Sequence, residues 1–111
     1  MTIESHNPLD RVFQALAHPT RRKMLAQLMS EPGTSAGTLA ARFDAAQPTL
    51  SRHLLQLERA GLVTRQVKGR SHLFCANAEA LSLADAWLTD HRAFWTGSLQ
   101  RLGRFLDEDE L

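Results

Sequence analysis

Two short helical segments separated by three residues constrain this chain more than anything else in it. From Ser35 to Phe43, Leu39, Ala40 and Phe43 recur at helical spacing, with Thr34 or Ser35 placed as a cap. From Gln47 to Ala60, Leu50, Leu54 and Leu57 form a second apolar seam. Pro48 stands in the first turn of that segment, where a missing N–H costs nothing, and Gly61 is a natural stop. Only Asp44-Ala45-Ala46 lies between the two. Helices joined so briefly make a helix-turn-helix corner, which leaves the second helix available to enter a groove.

The flanking sequence sets this corner in a mostly α chain. Leu9, Val12, Phe13 and Leu16 fall on one helical face, with Pro8 placed to start that helix and Pro19 to end it. A second helix is expected from Thr20 to Met29, before the breaker Glu31-Pro32-Gly33. After Gly61, Leu62 to Val67 and Ser71 to Ala76 have strand character and flank the turn Lys68-Gly69, a β-hairpin signal. From Ala78 to Leu106 a long helix is expected. Leu81, Leu88, Trp95 and Leu102 recur every seven residues, and Ala84, His91, Ser98 and Phe105 follow three places later. Gly97 and Gly103 weaken this seam and mark a bend or a close helix contact. With 111 residues, the chain suits one domain, 1–106, whose C-terminal helix covers about 78–106, and an acidic tip, 107–111.

The chemistry concentrates between Ala36 and Arg70. With Leu50, Leu54 and Leu57 turned inward, Thr49, Arg52, Gln56 and Arg59 point outward, and Ser51 and His53 flank them. Such a face can read a major groove, since Arg forks to guanine and Gln pairs with adenine. Gln47, Thr49, Ser51 and Arg52, at the N-terminal end, are the expected base contacts. Arg65, Lys68 and Arg70 on the hairpin suit adjacent phosphates or a minor groove, as do Arg21, Arg22, His53 and Gln56. The net charge of +1 hides this basic body: discounting the four acids of Asp107 to Glu110 leaves +5. Taken singly, an Arg- and Gln-bearing helix face or a charged hairpin is most often a solvated surface. Their conjunction favours DNA.

The run Leu50-Ser51-Arg52-His53-Leu54, with Leu57-Glu58-Arg59-Ala60-Gly61-Leu62-Val63, resembles the ArsR/SmtB family of winged-helix repressors. Ala15-Leu16-Ala17-His18-Pro19-Thr20-Arg21-Arg22 and Ala40 to Phe43 carry the same resemblance, which extends from about Leu9 to Leu81. Asp90-His91-Arg92-Ala93-Phe94-Trp95 is similar to the last helix of a branch without the usual metal sites. The resemblance implies a winged helix-turn-helix that pairs as a homodimer through its first and last helices. It thereby places Leu9, Val12, Phe13, Leu81, Ala84, Leu88, His91, Trp95 and Leu102 at the interface. It also implies repression of transcription, relieved by a signal such as an unidentified small-molecule effector.

Metal sensing finds little support. The stretch Gly37 to Phe43 has no cysteine pair, and the last helix offers His91, Asp85 and Asp90 without a second histidine, where zinc wants four ligands. No metal and no cofactor are therefore expected, and His91 reads as an interface or core histidine. Cys75 is a lone thiol in a strand; an inert residue is the plain reading, and a redox role would need a lowered pKa and a resolving partner. No phosphate loop, nucleophile elbow or paired carboxylates suggest an enzyme. No apolar run approaches the ~20 residues that span a bilayer, so a cytoplasmic protein with no membrane partner is expected. The expected partners are double-stranded DNA and a second copy of the chain. Two alternatives remain: a winged helix docking an acidic protein, or a metal- or thiol-responsive sensor on the same fold.

Overall fold

The computed structural model describes residues 7–109. Helix α1 (Pro8–Leu16) starts on Pro8 and is capped by Asn7, whose Oδ1 accepts from the Leu9 N–H at 2.9 Å. Pro19, expected to end α1, also opens α2 (Pro19–Ser30). His18 between them is extended, as a residue before proline prefers, and its Nδ1 accepts from the Thr20 N–H at 3.1 Å. Then come β1 (Thr34–Ser35), α3 (Ala36–Arg42), α4 (Gln47–Arg59), β2 (Val63–Lys68), β3 (Ser71–Ala76) and α5 (Ala78–Asp109).

The expected hairpin is part of a three-stranded antiparallel sheet of order β1-β3-β2. Strand β1 pairs Thr34 with Phe74 and Ser35 with Leu73, and Ser35 then caps α3 by accepting from the Thr38 N–H. Across β2 and β3, Lys68 pairs with Ser71, so Gly69 and Arg70 form the turn, with Gly69 at φ +62°. Asp44 carries the α3–α4 turn at φ +47°, a conformation Asp tolerates better than most residues. Helix α4 ends in a Schellman motif. The Leu62 N–H donates to Leu57 O at 3.0 Å and the Gly61 N–H to Glu58 O at 2.9 Å, with Gly61 at φ +77°.

The core joins every helix. Val12 and Ala15 of α1, Met24 and Leu28 of α2, Leu39 of α3 and the seam Leu50, Leu54 and Leu57 of α4 meet Leu62, Val63 and Phe74 of the sheet. Val12, expected at an interface between copies, lies in this core at 0% exposure, and Ala84 of α5 is buried there too. Both lie on the inner side of their helices, where the protomer's own packing takes them. Leu81 packs against the same core and is half-buried.

Only the start of α5 belongs to that body. Asn77 ties it to the end of α4, donating from its side chain to Gly61 O at 3.0 Å and from its backbone N–H to Leu62 O at 2.8 Å. Phe13 of α1 meets Trp87 edge-on at 6.0 Å. Beyond Trp87 the helix projects, so the molecule measures 68 × 31 × 30 Å with a radius of gyration of 18.7 Å. A compact chain of this length would have a radius near ~13 Å. The helix runs unbroken through Gly97 and Gly103, where a bend or close contact was expected, and continues past Leu106 to Asp109. Asp107 and Glu108 of the acidic tip thus extend α5, while Glu110 and Leu111 lie outside the described residues.

Candidate nucleic-acid interface

Burying Leu50, Leu54 and Leu57 fixes the rotation of α4, and Gln47, Thr49, Ser51, Arg52, Gln56 and Arg59 are exposed on it as a result. No side chain caps the N-terminus of α4, and Pro48 has no N–H to offer there. Between this end and the wing formed by β2 and β3 lies a cleft of about 470 Å³. Gln47 and Ser51 line it from α4, Ser35 and Gly37 from the start of α3, and Arg65, Arg70, Ser71 and His72 from the wing. The structure thus brings base-reading candidates and wing cations to one surface. Ser35, Gly37, Ser71 and His72 join it only through the strand register, which no sequence periodicity exposes.

Several expected contact residues also serve structural roles. Arg65 bonds Glu58 Oε1 at 2.8 Å, lies 3.3 Å from His72 Nδ1, and stacks its guanidinium 4.9 Å from the Phe74 ring centre. It braces the wing against α4. Lys68 and Arg70 sit exposed at and beside the turn. Arg21 donates from Nε to Ala15 O at 2.7 Å and from Nη2 to Gln14 O at 3.0 Å, and Arg22 donates to Leu16 O at 2.6 Å. These two arginines satisfy the last carbonyls of α1, a C-terminal capping role for cations.

His53 does not join the outward face. Its ring lies 4.5 Å from that of His18, and its Nδ1 is 3.5 Å from Arg21 Nη1. Burial, then the fields of His18 and Arg21, lowers its pKa. It is half-buried at the joint between α2 and α4, where an acceptor nitrogen faces a guanidinium.

Cys75 pairs with Thr64 across the ladder and is half-buried, while Arg65 pairs with Phe74. Alternation along the strands puts Cys75 and the Arg65 guanidinium on opposite faces. On α5, His91 donates from Nδ1 to Trp87 O at 2.8 Å and stacks on the Trp87 ring at 4.2 Å. Among the described residues, no three His, Cys, Asp or Glu side chains converge as a metal site requires, and no helix is long and apolar enough to cross a membrane.

Three helices with a paired wing, built around an exposed polar helix, define a winged helix-turn-helix protein. Residues 16–66 match a family model described as a helix-turn-helix domain. The chain is 32% identical over 107 residues to HTH-type transcriptional regulator Rv2034 of Mycobacterium tuberculosis, covering 96% of each. It is 31% identical over 80 residues to Transcriptional repressor SdpR of Bacillus subtilis, covering 72% of this chain and 88% of that one. It superposes on an ArsR-like transcriptional regulator from a Rhodococcus species with a TM-score of 0.71 and 28% identity, covering 88% of this chain and 92% of that one. The chain belongs to the ArsR/SmtB family of helix-turn-helix transcription regulators. It is thus a DNA-binding transcription regulator by family.

Proposed function

We propose that two copies of this chain repress transcription by reading a near-palindromic operator in the cytoplasm. One observation carries the reading: the exposed N-terminal face of α4 and the basic wing border the same cleft. A major groove entered by α4 would meet Gln47, Thr49, Ser51 and Arg52. Lys68 and Arg70 would follow the neighbouring phosphates, joined by Gln56 and by those N–H groups of Arg21 and Arg22 that do not cap α1. The functional unit is 1–106, with α5 as its pairing element.

Pairing is supported by what α5 leaves uncovered. Leu83, Trp87, Leu88, Phe94, Trp95, Leu99, Leu102, Phe105 and Leu106 are all exposed, as is Phe13 beside them. Together they leave on the order of 1,000 Å² of apolar surface, above the few hundred typical of a monomer. Leu9, Phe13, Leu81, Leu88, His91, Trp95 and Leu102 fit that interface; Val12 and Ala84 support it from within. Two recognition helices about one turn apart (~34 Å) then meet successive major grooves.

Fluorescence anisotropy on duplex from upstream of the gene, against a scrambled duplex, at two salt concentrations, tests the reading. Tight binding to the first and at least about a hundredfold weaker binding to the second supports it. Equal weak binding that vanishes with salt contradicts it, and points the basic face toward an acidic protein.

A further inference from the structure

A second cleft, of about 520 Å³, lies at the other end of α4. Arg11, Gln14 and Ala15 line it from α1, Arg21 from α2, and Gln56, Arg59 and Ala60 from α4. Three arginines and two glutamines line one concavity, and among the described residues none of the lining is acidic. Glu58, between Gln56 and Arg59 in sequence, is engaged by Arg65 on the wing. Arg21 is held in place by its bonds to Ala15 O and Gln14 O, so little rotamer freedom is left to lose on binding. Clustered guanidinium groups in a concavity focus positive potential and match the geometry of oxyanions. The volume suits a small molecule.

We propose that this cleft binds a small anionic molecule bearing phosphoryl groups, and that occupancy regulates the protein. DNA phosphate shares that chemistry, and the operator reading gives it Gln56 and part of Arg21; Gln14 and Arg59, which complete the cleft, stand outside that set. Arg59 is about 18 Å along the helix from Gln47, at 1.5 Å per residue. Its walls come from three helices, among them α1, which packs on α5 through Phe13 and Trp87. A ligand bridging Gln14, Arg21 and Arg59 therefore fixes α4 relative to α1 and the pairing helix packed on it, and so changes how two recognition helices are spaced. That regulatory consequence rests on the operator reading; the binding itself does not.

The test is calorimetric titration of the free protein with pyrophosphate and with inorganic phosphate, at constant ionic strength and without DNA. Saturable one-site binding of pyrophosphate is expected, with Kd below about 1 mM and about tenfold weaker in Arg59→Ala and in Gln14→Glu. Arg42→Ala, which removes one positive charge on α3, should leave it within about twofold. Thermal melts of each variant check that the fold is kept. Absence of saturation, indifference to Arg59→Ala, or equal weakening by Arg42→Ala would overturn the proposal. So would displacement of pyrophosphate by a short scrambled duplex at matched phosphate concentration, which would give the cleft to the DNA backbone. If anisotropy finds no specific operator, the calorimetry still stands or falls alone.

Discussion

Replacing Trp95 with Ala should separate pairing from folding. Within the protomer, Trp95 has an edge contact with Phe94 at 5.4 Å and is 57% exposed. A Trp side chain can bury up to about 250 Å², which leaves roughly 140 Å² uncovered here. A two-fold interface counts that area twice, and at ~25 cal/mol/Å² the pair contributes at most about 7 kcal/mol to association. The retained Cβ and incomplete coverage by the partner reduce this to about 3 kcal/mol, a rise of roughly 100-fold in the dimer Kd. Alanine is the best helix former, so α5 itself should not suffer. Sedimentation equilibrium across a concentration series reads the constant directly, and circular dichroism confirms that helix content is kept. A dimer Kd within threefold of the unsubstituted protein would refute the placement of the interface along α5.

Three further outcomes follow from the geometry. Arg52→Ala should cost about 1–3 kcal/mol on the preferred operator and relax selection at one base pair, whereas Lys68→Ala should weaken every sequence alike and lower the salt slope by about one; anisotropy on single-base operator variants separates the two. Leu54→Ala, at 1% exposure in the seam of α4, should lose about 2–5 kcal/mol in urea unfolding; a loss under about 1 kcal/mol would mean that the seam does not anchor the helix. Because the folded state lowers the His53 pKa, it binds fewer protons than the unfolded chain. Stability should therefore be level above histidine's ordinary value of about 6.5 and fall as pH drops through it, a decline that His53→Gln should flatten in thermal melts.

The helix-turn-helix corner was legible because its signals are local. The Leu50-Leu54-Leu57 seam fixes the face that α4 exposes, and Pro48 and Gly61 mark its ends. The half-burial of His53 has a reason visible on the same wheel: it stands three residues after Leu50 and four before Leu57, which turns it toward the seam. Strand β1 has two residues, too few for an alternation to show, and exists only because Thr34 and Ser35 meet Phe74 and Leu73. The bracing role of Arg65 depends on a partner in α4 and a register in the wing, and the capping by Arg21 and Arg22 depends on the bend at His18. Such long-range pairings leave no periodic trace. Val12 and Leu9 share one apolar stripe in sequence, and only packing separates the buried residue from the half-exposed one.

Selection of bound duplexes from a random-sequence pool, followed by sequencing, addresses sequence-specific reading most directly. Enrichment of a near-palindrome with half-site centres about 10 base pairs apart, lost at one position per half-site in Arg52→Ala, is the expected result. A pool that stays random after repeated rounds, while the protein still binds DNA at low salt, would contradict it.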